Sequence, residues 1–189
     1  MQIKLQGSVT VVVDYFEVAM AMILYQRNIY PQEMFVMVKK YGINVLKVED
    51  PSLTKYMNSV LMKVKEWIEV GNFKKLVIAL INEHSGETVE KWEFGVDMVD
   101  NLQENIQERE ICKTIQSIIK QIIGSCTLLP LLEGRFTFHV LAHTKDGVAI
   151  PHQWIQSDNH EINDGEFVNL RSFSTLNHTI QTNVEYKNK

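Results

Sequence analysis

The stretch Glu108–Cys126 constrains the fold more than any other part of the sequence. Its apolar residues recur at steps of one, three and four, the period of one face of an α-helix: Ile111, Ile115, Ile118, Ile119, Ile122, Ile123 and Cys126. Polar residues occupy most of the remaining positions, so the pattern predicts a core helix with a solvated back. We expect the helix to end at Gly124, because glycine favours helix ends and Pro130 bars simple continuation.

Length and charge narrow the classes of protein. The 189 residues suffice for one domain with a sizeable core, and 45% of them are hydrophobic. The net charge of -4 gives no support to general nucleic-acid binding. The first residues lack the apolar segment of a secretion signal, and we expect no membrane-spanning helix of about 20 residues.

The two cysteines, Cys112 and Cys126, lie on the same predicted helix. Fourteen residues at about 1.5 Å each separate them by about 21 Å, which is too far for a disulfide. We therefore expect two reduced thiols, as in an intracellular protein.

The N-terminal half reads as helices and short strands. Met1–Gly7 alternates weakly and is predicted to be an edge strand, with Ser8 as the N-cap of a buried helix that extends to Tyr25. Two extended runs joined near Tyr41 and Gly42 predict a hairpin: Phe35–Lys40 and Ile43–Val48. Asp50 then caps a second amphipathic helix that begins with Pro51 and ends at Gly71.

The remaining elements are predominantly strands. A second hairpin is predicted from Leu76–Ile81 and Thr88–Val96, followed by a loop from Asp97 to Gln107, and Arg135–Thr144 is a further strand. Phe167–Ser174 and Thr179–Tyr186 are the last strand-like runs, and neither has a cleanly apolar face, so their register is poorly specified. Helices interleaved with antiparallel hairpins define an α+β fold class.

Catalytic and metal-binding patterns are largely missing. Neither GxGxxG nor GxxxxGK[ST] occurs, and the cysteine spacing fits no zinc site. His139 and His143 on one strand stand about 13 Å apart and cannot share an ion. A small enzyme that uses Cys112 or the histidines stays open as an alternative, although an ordinary helix cysteine is the simpler interpretation.

Several stretches in one order resemble the HORMA-domain family, and within it the spindle-checkpoint member. They cover nearly the whole chain: 23–31 (ILYQRNIYP), 40–42 (KYG), 75–77 (KLV), 85–87 (SGE), 90–94 (EKWEF), 129–133 (LPLLE), 148–154, 170–175 (LRSFST) and 184–187 (VEYK). The resemblance implies three main helices against an antiparallel sheet with hairpins. It also implies a single HORMA domain with a core of residues 1–146 and a mobile C-terminal safety belt of residues 147–189.

The same resemblance implies a function in the spindle assembly checkpoint without enzymatic activity, cofactor or metal. The belt would close around a segment of the mitotic co-activator of the anaphase-promoting complex, which is thereby inhibited, or of the kinetochore receptor, mitotic arrest deficient one. A remodelling ATPase with its adaptor would act on the chain, which would reside in nucleus and cytoplasm and at kinetochores in mitosis. The alternative is another HORMA adaptor, either a translesion-polymerase subunit or a meiotic chromosome-axis protein.

The strand Arg135–Thr144 is the candidate floor of the peptide site. A long apolar strand without a partner invites an added strand, and a covering belt would hide its edge. The expected peptide-binding residues lie on this strand and on the belt: Phe136, Phe138, Val140, Leu141, Ala142, Trp154 and Ile155. Trp154 reads either as a core anchor or as a peptide contact, and the resemblance favours the second.

The solvated back of the central helix is the candidate partner surface. Lys120 and Gln121 stand where the family member has an Arg–Gln pair that supports association of an open with a closed copy. Lysine lacks the bidentate guanidinium, so we expect a weaker homodimer. Leu128 and Arg171 belong to the same expected surface. The short arm before Gly7 is expected to bias the chain toward the closed form, and Asn28, where the family has glycine, to adopt a left-handed backbone.

Overall fold

The computed structural model describes residues 2–99 and 107–188, with side chains from residue 7 onward. Its helices are α1 (Gln2–Gln26), α2 (Pro51–Glu69) and α3 (Glu108–Leu128). Its strands are β1 (Phe35–Lys40), β2 (Ile43–Val48), β3 (Phe73–Asn82), β4 (Thr88–Met98), β5 (Phe136–Thr144), β6 (Gly165–Asn169), β7 (Phe173–Ser174) and β8 (His178–Lys187). The predicted α+β class is confirmed.

The main sheet is antiparallel and has the strand order β5-β3-β4-β8-β6, with β7 also paired to β8. β1 and β2 form a separate hairpin whose turn residues Tyr41 and Gly42 both have positive φ. The three helices pack on one face of the sheet, where they share one core with its inward-pointing side chains.

Helix α1 is buried along much of residues 8–24. Tyr15, Phe16 and Ile23 are fully buried, and Tyr15 stacks edge-on against Phe94 of β4. The expectation that no apolar run reaches membrane-spanning length was wrong, because Gly7–Gln26 has the length and hydropathy for it. However, 67% of that apolar window is buried inside the fold, as in the core helix of a globular domain.

The predicted N-terminal edge strand was also wrong, since α1 already begins at Gln2. Gln, Lys and Leu are good helix formers and they extend the helix toward its N-terminus. Ser8 therefore lies inside the helix and does not cap it; its buried hydroxyl contacts Thr175 and the Nδ1 atom of His178 instead. Asn28 does adopt the expected left-handed backbone, with φ 54°.

Helix α3 confirms the predicted stripe but not the predicted end. Ile115, Ile118, Ile119, Ile122 and Cys126 are buried along one side. The helix continues through Gly124 to Leu128, because one exposed glycine costs a helix only about 1 kcal/mol. It ends where Leu129 turns extended, with ψ 153°, as the residue before a proline prefers.

The C-terminal strands differ from the prediction in length and pairing. The run predicted as Phe167–Ser174 is divided into β6 and β7, and both strands pair with β8. β8 in turn pairs with β4 along nine positions, from Glu90 opposite Tyr186 to Met98 opposite His178. β4 includes Asp97 and Met98, which were predicted to be loop, and the rest of that predicted loop at 100–106 lies outside the described residues.

Candidate functional site

The β5 edge of the main sheet has no further strand beside it among the described residues. Among the described strands, β5 pairs with β3 alone, so the backbone groups on its other side point away from the ladder. Such an edge is a template for an added strand. The expectation that β5 is an edge is therefore confirmed.

A groove of about 530 Å³ runs along this free edge. It lies between β5, helix α2 and the segment that follows β5. Its lining is mixed apolar and polar and includes the carboxylate of Asp158. The residues are Tyr56, Ser59, Val60 and Trp67 from α2, residues 139–144 from β5, and Ile150 and 153–159 from the following segment. The rings of Trp67 and Trp154 meet edge-on with centroids 5.1 Å apart and close one end of its apolar wall.

We call residues 147–188 the belt. After the groove, the belt passes around β5 and crosses the outer face of the sheet, away from the helices. His160 contacts Thr88 of β4 and His139 of β5, each at 3.1 Å. Ile162 of the belt is buried, and so are Val77 and Ala79 of β3, the strand that lies between β4 and β5. None of these three residues belongs to the main core. The belt thus encloses the groove from outside.

Three polar contacts fasten the far end of the belt to the core. Lys91 of β4 and Glu185 of β8 form a 2.7 Å ion pair in which each side chain is only 9% exposed. The hydroxyls of Tyr15 and Thr182 lie 2.8 Å apart. His178, fully buried, contacts Ser8 of α1 at 2.7 Å, and burial lowers its pKa.

A buried ion pair links the end of α1 to the sheet, at a point away from the groove. Arg27, directly after α1, contacts Glu90 of β4 at 2.8 Å and donates to the carbonyl oxygens of Cys126 and Pro130. The indole of Trp92 donates to the same Glu90 carboxylate at 2.6 Å. Stretches 23–31, 90–94 and 129–133, which carry the family resemblance, therefore meet at one structural point.

The structure brings five of the seven expected peptide-site residues to the groove, namely Val140, Leu141, Ala142, Trp154 and Ile155. Phe138 lies elsewhere because its ring packs in the core against Tyr30 and Tyr56. Phe136 lines a separate cavity of about 230 Å³ beside the end of β8. Of the belt strands, β8 pairs with β4, and β6 and β7 pair with β8, so the part of the belt beside β5 is the segment before β6.

Helix α2 supplies the groove wall that the sequence reasoning missed. Trp67 and Val60 were recognised only as part of a buried stripe, and that stripe gives no sign that one end of it faces a groove. Trp154 contacts Trp67, as a core anchor would, and it also lines the groove, where its role as a peptide contact stays a prediction.

The back of α3 carries the expected partner residues. Lys120 is exposed, and the side chain of Leu128 is among the most exposed apolar groups, at 88%. The amide of Arg171 donates to Oε1 of Gln121 at 2.8 Å, and its guanidinium donates to Ser117 at 3.3 Å. The belt thus contacts this surface through Arg171. The hydrogen bond accepted by Gln121 therefore depends on the position of the belt.

In the described part of the chain, no group of three or more His, Cys, Asp or Glu residues is placed to hold a metal ion. Both cysteines are free, as the helix spacing predicted. Burial raises the pKa of Cys126 to about 12, which keeps its thiol protonated and unreactive.

Comparison with known proteins matches residues 8–178 to the family model of the HORMA domain. The chain belongs to the HORMA-domain family. Within that family it is similar to the MAD2 spindle-checkpoint proteins: it is 39% identical to the Saccharomyces cerevisiae component, covering 98% of this chain and 97% of the yeast protein. It is 37% identical to the human protein MAD2A, covering 98% and 93% of the two chains.

Solved structures agree with this assignment. A chain of the mitotic checkpoint complex superposes with a TM-score of 0.90 at 39% identity, covering 96% of this chain and 99% of that one. Caenorhabditis elegans HTP-2 bound to a closure motif of HTP-3 gives a TM-score of 0.80 at 14% identity, covering 95% of this chain and 85% of that one, which shows the shared fold alone. The Schizosaccharomyces pombe DNA polymerase zeta processivity subunit is 25% identical over 75% of this chain and 70% of its own length.

Proposed function

We propose that this protein acts in the spindle assembly checkpoint by holding an extended partner peptide between β5 and the belt. The observation that carries the proposal is the free edge of β5, which faces a groove already enclosed by residues 150–160 of the same chain. The full-length similarity to MAD2 proteins at 37–39% identity exceeds the 25% similarity to the polymerase subunit and favours the checkpoint over the other adaptor pathways.

The groove suits a peptide that pairs with β5 as an additional antiparallel or parallel strand. Alternate side chains of an added strand point to opposite faces of the sheet. On one face they would meet Val60, Trp67 and Trp154, and on the other His139 and His143. Main-chain hydrogen bonds would supply affinity and these two rows would supply selectivity.

The similarity to checkpoint proteins and to a chain of the mitotic checkpoint complex supports a proposal for the partners. We expect the peptide to come from the mitotic co-activator of the anaphase-promoting complex, whose activity would then be inhibited, or from the kinetochore receptor. The belt encloses the groove beside β5, and the protein would act by occupancy without catalysing a reaction. The corresponding locations are the nucleus and cytoplasm, and kinetochores during mitosis.

Peptide binding is tested by fluorescence anisotropy with a labelled basic-apolar peptide of the receptor type. Trp154→Ala removes the ring that contacts Trp67, and we expect roughly tenfold weaker binding with faster release. Phe167→Ala is the matched control, because it truncates an exposed aromatic residue of the same belt outside the groove. Equal affinity of both variants, or no binding by the unaltered protein, would exclude this groove as the peptide site.

Self-association through the back of α3 is a second, separable activity. Lys120 and Leu128 are exposed beside the Gln121–Arg171 contact, so a partner copy can reach all four residues. Replacing Lys120 by Glu and Gln121 by Ala should abolish any dimer in analytical ultracentrifugation and leave peptide binding unchanged. Loss of folding in that variant would show instead that these residues serve stability.

A further inference from the structure

The belt and the sheet edge meet at a pair of histidines on the outer face. Nδ1 of His139 on β5 lies 3.1 Å from Nε2 of His160 on the belt, and the two rings meet at 72°. This contact lies where the belt leaves the groove, since His139 lines the groove and Asp158 and Asn159 are its last belt residues.

His160 is held from both sides. Its Nδ1 atom lies 3.1 Å from the hydroxyl of Thr88 on β4, and its side chain is only 13% exposed. Its backbone has φ 49°, a left-handed conformation that histidine tolerates better than most residues, and its amide donates to Asp158 at 3.1 Å. The belt backbone is thus shaped to present this ring to the sheet.

The strands place His139 at the end of one cross-strand row. In register across the sheet, His139 lies opposite Ala79, Ala79 opposite Lys91, and Lys91 opposite Glu185. Ala79 is the small residue of the row and is fully buried. His160 contacts Thr88 and His139, on the two strands that flank β3, and therefore lies across that strand.

The charged and titratable groups around His160 favour a neutral ring. They are His139 on β5, Lys91 on β4 with its partner Glu185 on β8, and Asp158 on the belt itself. Burial, His139 and Lys91 lower the pKa of His160, and Asp158 opposes them. A neutral imidazole has one donor and one acceptor nitrogen, so it can bond to Thr88 and His139 at the same time.

We propose that the His139–His160 contact is the clasp that holds the belt over the groove and sets how long a bound peptide stays. The inference rests on the proposed peptide-binding function and adds the residues that govern release. A peptide on β5 would lie beneath residues 150–159, and it can leave sideways only when the belt lifts from the strand. Among the described residues, the His139–His160 contact is the side-chain hydrogen bond that links residues 150–160 of the belt to β5.

The test compares peptide release rates between single and paired substitutions. His160→Asn removes the ring and keeps a residue that tolerates positive φ, and His139→Leu removes the other partner. Each should accelerate release of a fluorescein-labelled basic-apolar peptide by about two- to tenfold, the range of one neutral hydrogen bond. The double variant should release no faster than the faster single variant, because both changes break the same contact.

Two further variants separate the clasp from general damage. His139→Asp places a carboxylate opposite His160, which can donate to it, so in the His139→Asp background His160→Asn should still accelerate release, whereas in the His139→Leu background it should not. His152→Asn changes an exposed histidine of the same segment outside the groove and should leave release unchanged. Release rates of both clasp variants equal to that control, or effects that simply add in the double variant, would overturn the proposal.

Hydrogen exchange of the ligand-free protein distinguishes failure of the clasp from failure of the proposed peptide-binding function. Amides of residues 148–164 should exchange faster in His160→Asn and His139→Leu than in His152→Asn. If exchange accelerates and no peptide binds, the clasp stands as a belt fastening and the peptide-binding function fails. If peptide binds and neither release nor exchange changes, the binding function stands and the clasp fails.

Discussion

The two faces of the main sheet are held by different kinds of interaction. The inner face presents fully buried apolar side chains such as Trp92, Phe94 and Leu76 to the three helices. The outer face, which the belt crosses, has the ion pair of Lys91 with Glu185 and the histidine clasp. Apolar burial is non-directional and contributes about 1.5–3 kcal/mol for each large side chain, whereas one neutral hydrogen bond contributes about 0.5–1.5 kcal/mol.

That difference explains how one chain can combine a fixed body with a segment able to move. The helices and β3, β4 and β5 share a core whose loss would unfold the protein. The belt between β5 and β6 has few buried apolar side chains: Ile162 is buried, and Trp154 is half-buried. β8 belongs to both regions, because Ile180 and Val184 enter the core while Glu185 faces outward.

The largest expected effect breaks the inner face. Phe94→Ala removes a fully buried ring that packs against Tyr15 and Phe16, and should lower the free energy of unfolding by about 3–5 kcal/mol. Phe167→Ala on β6 removes the same ring where it is 63% exposed, and should change the free energy by less than about 0.5 kcal/mol. Urea titration followed by circular dichroism measures both, and similar losses would refute the contrast between body and belt.

The next effect separates two Lys–Glu pairs of the outer face. Lys91→Met leaves Glu185 buried without its partner, and should cost about 3 kcal/mol, expressed as faster hydrogen exchange in β8. Lys75→Met breaks a pair with Glu93 that is 35% exposed at the lysine, and should cost less than about 1 kcal/mol. If the buried pair fastens the belt, exchange in β3 should change little in either variant.

How far the sequence predicts this arrangement differs between the same two regions. The stripe from Ile115 to Cys126 identified α3, since a buried helix face requires a period that local sequence displays. The pairing of β8 with β4 could not be predicted in that way. Ile180, Thr182 and Val184 occupy alternate positions of β8 and point into the core. Lys91 and Glu185 are also buried, as an ion pair, and this pairing is visible only in the assembled sheet.

The groove shows the same limit. The edge strand and the belt residues Trp154 and Ile155 were predicted, partly from family resemblance. Trp67 was not, because its place in a regular helical stripe is indistinguishable from that of an ordinary core residue. Phe138 was assigned to the groove together with Val140, which lies on the same face of the strand. Its ring instead packs against Tyr30 and Tyr56.

A smaller effect concerns pH and the junction between α1 and the belt. Burial lowers the pKa of His178 below its ordinary value of 6.5, so the unfolded chain takes up a proton that the folded chain does not. The free energy of unfolding should therefore be independent of this group above that pH and fall below it, by at most about 1.4 kcal/mol per pH unit. His143 and His160 also have lowered pKa values and add to the slope.

The contribution of His178 is isolated by substitution. His178→Gln should make the decrease in the free energy of unfolding between pH of about 6.5 and about 5.5 shallower. Asn163→Gln, at an exposed position of the belt without a titratable side chain, should leave that slope unchanged. Denaturant titrations at each pH measure the slopes. An unaltered slope in His178→Gln would show that protonation of this buried ring does not cause the loss of stability in acid.

The smallest effect has opposite signs in the two regions. At Gly165 of β6 an added Cβ would lie 2.7 Å from Oε1 of Glu185, a side chain that the ion pair with Lys91 holds in place. Gly165→Ala should therefore destabilise the belt by about 1 kcal/mol. At Gly124 of α3 a Cβ would meet nothing within 4 Å, so Gly124→Ala should stabilise the helix by up to about 1 kcal/mol.

The two glycine variants test what holds the belt because neither position has a positive φ, so backbone strain does not enter. Thermal unfolding should shift upward for Gly124→Ala and downward for Gly165→Ala. Combining Gly165→Ala with Lys91→Met frees Glu185 to move aside, so the added methyl should then cost little. A full, additive cost in that double variant would show that Gly165 is constrained by the strand itself, and that the ion pair is not what fixes this end of the belt.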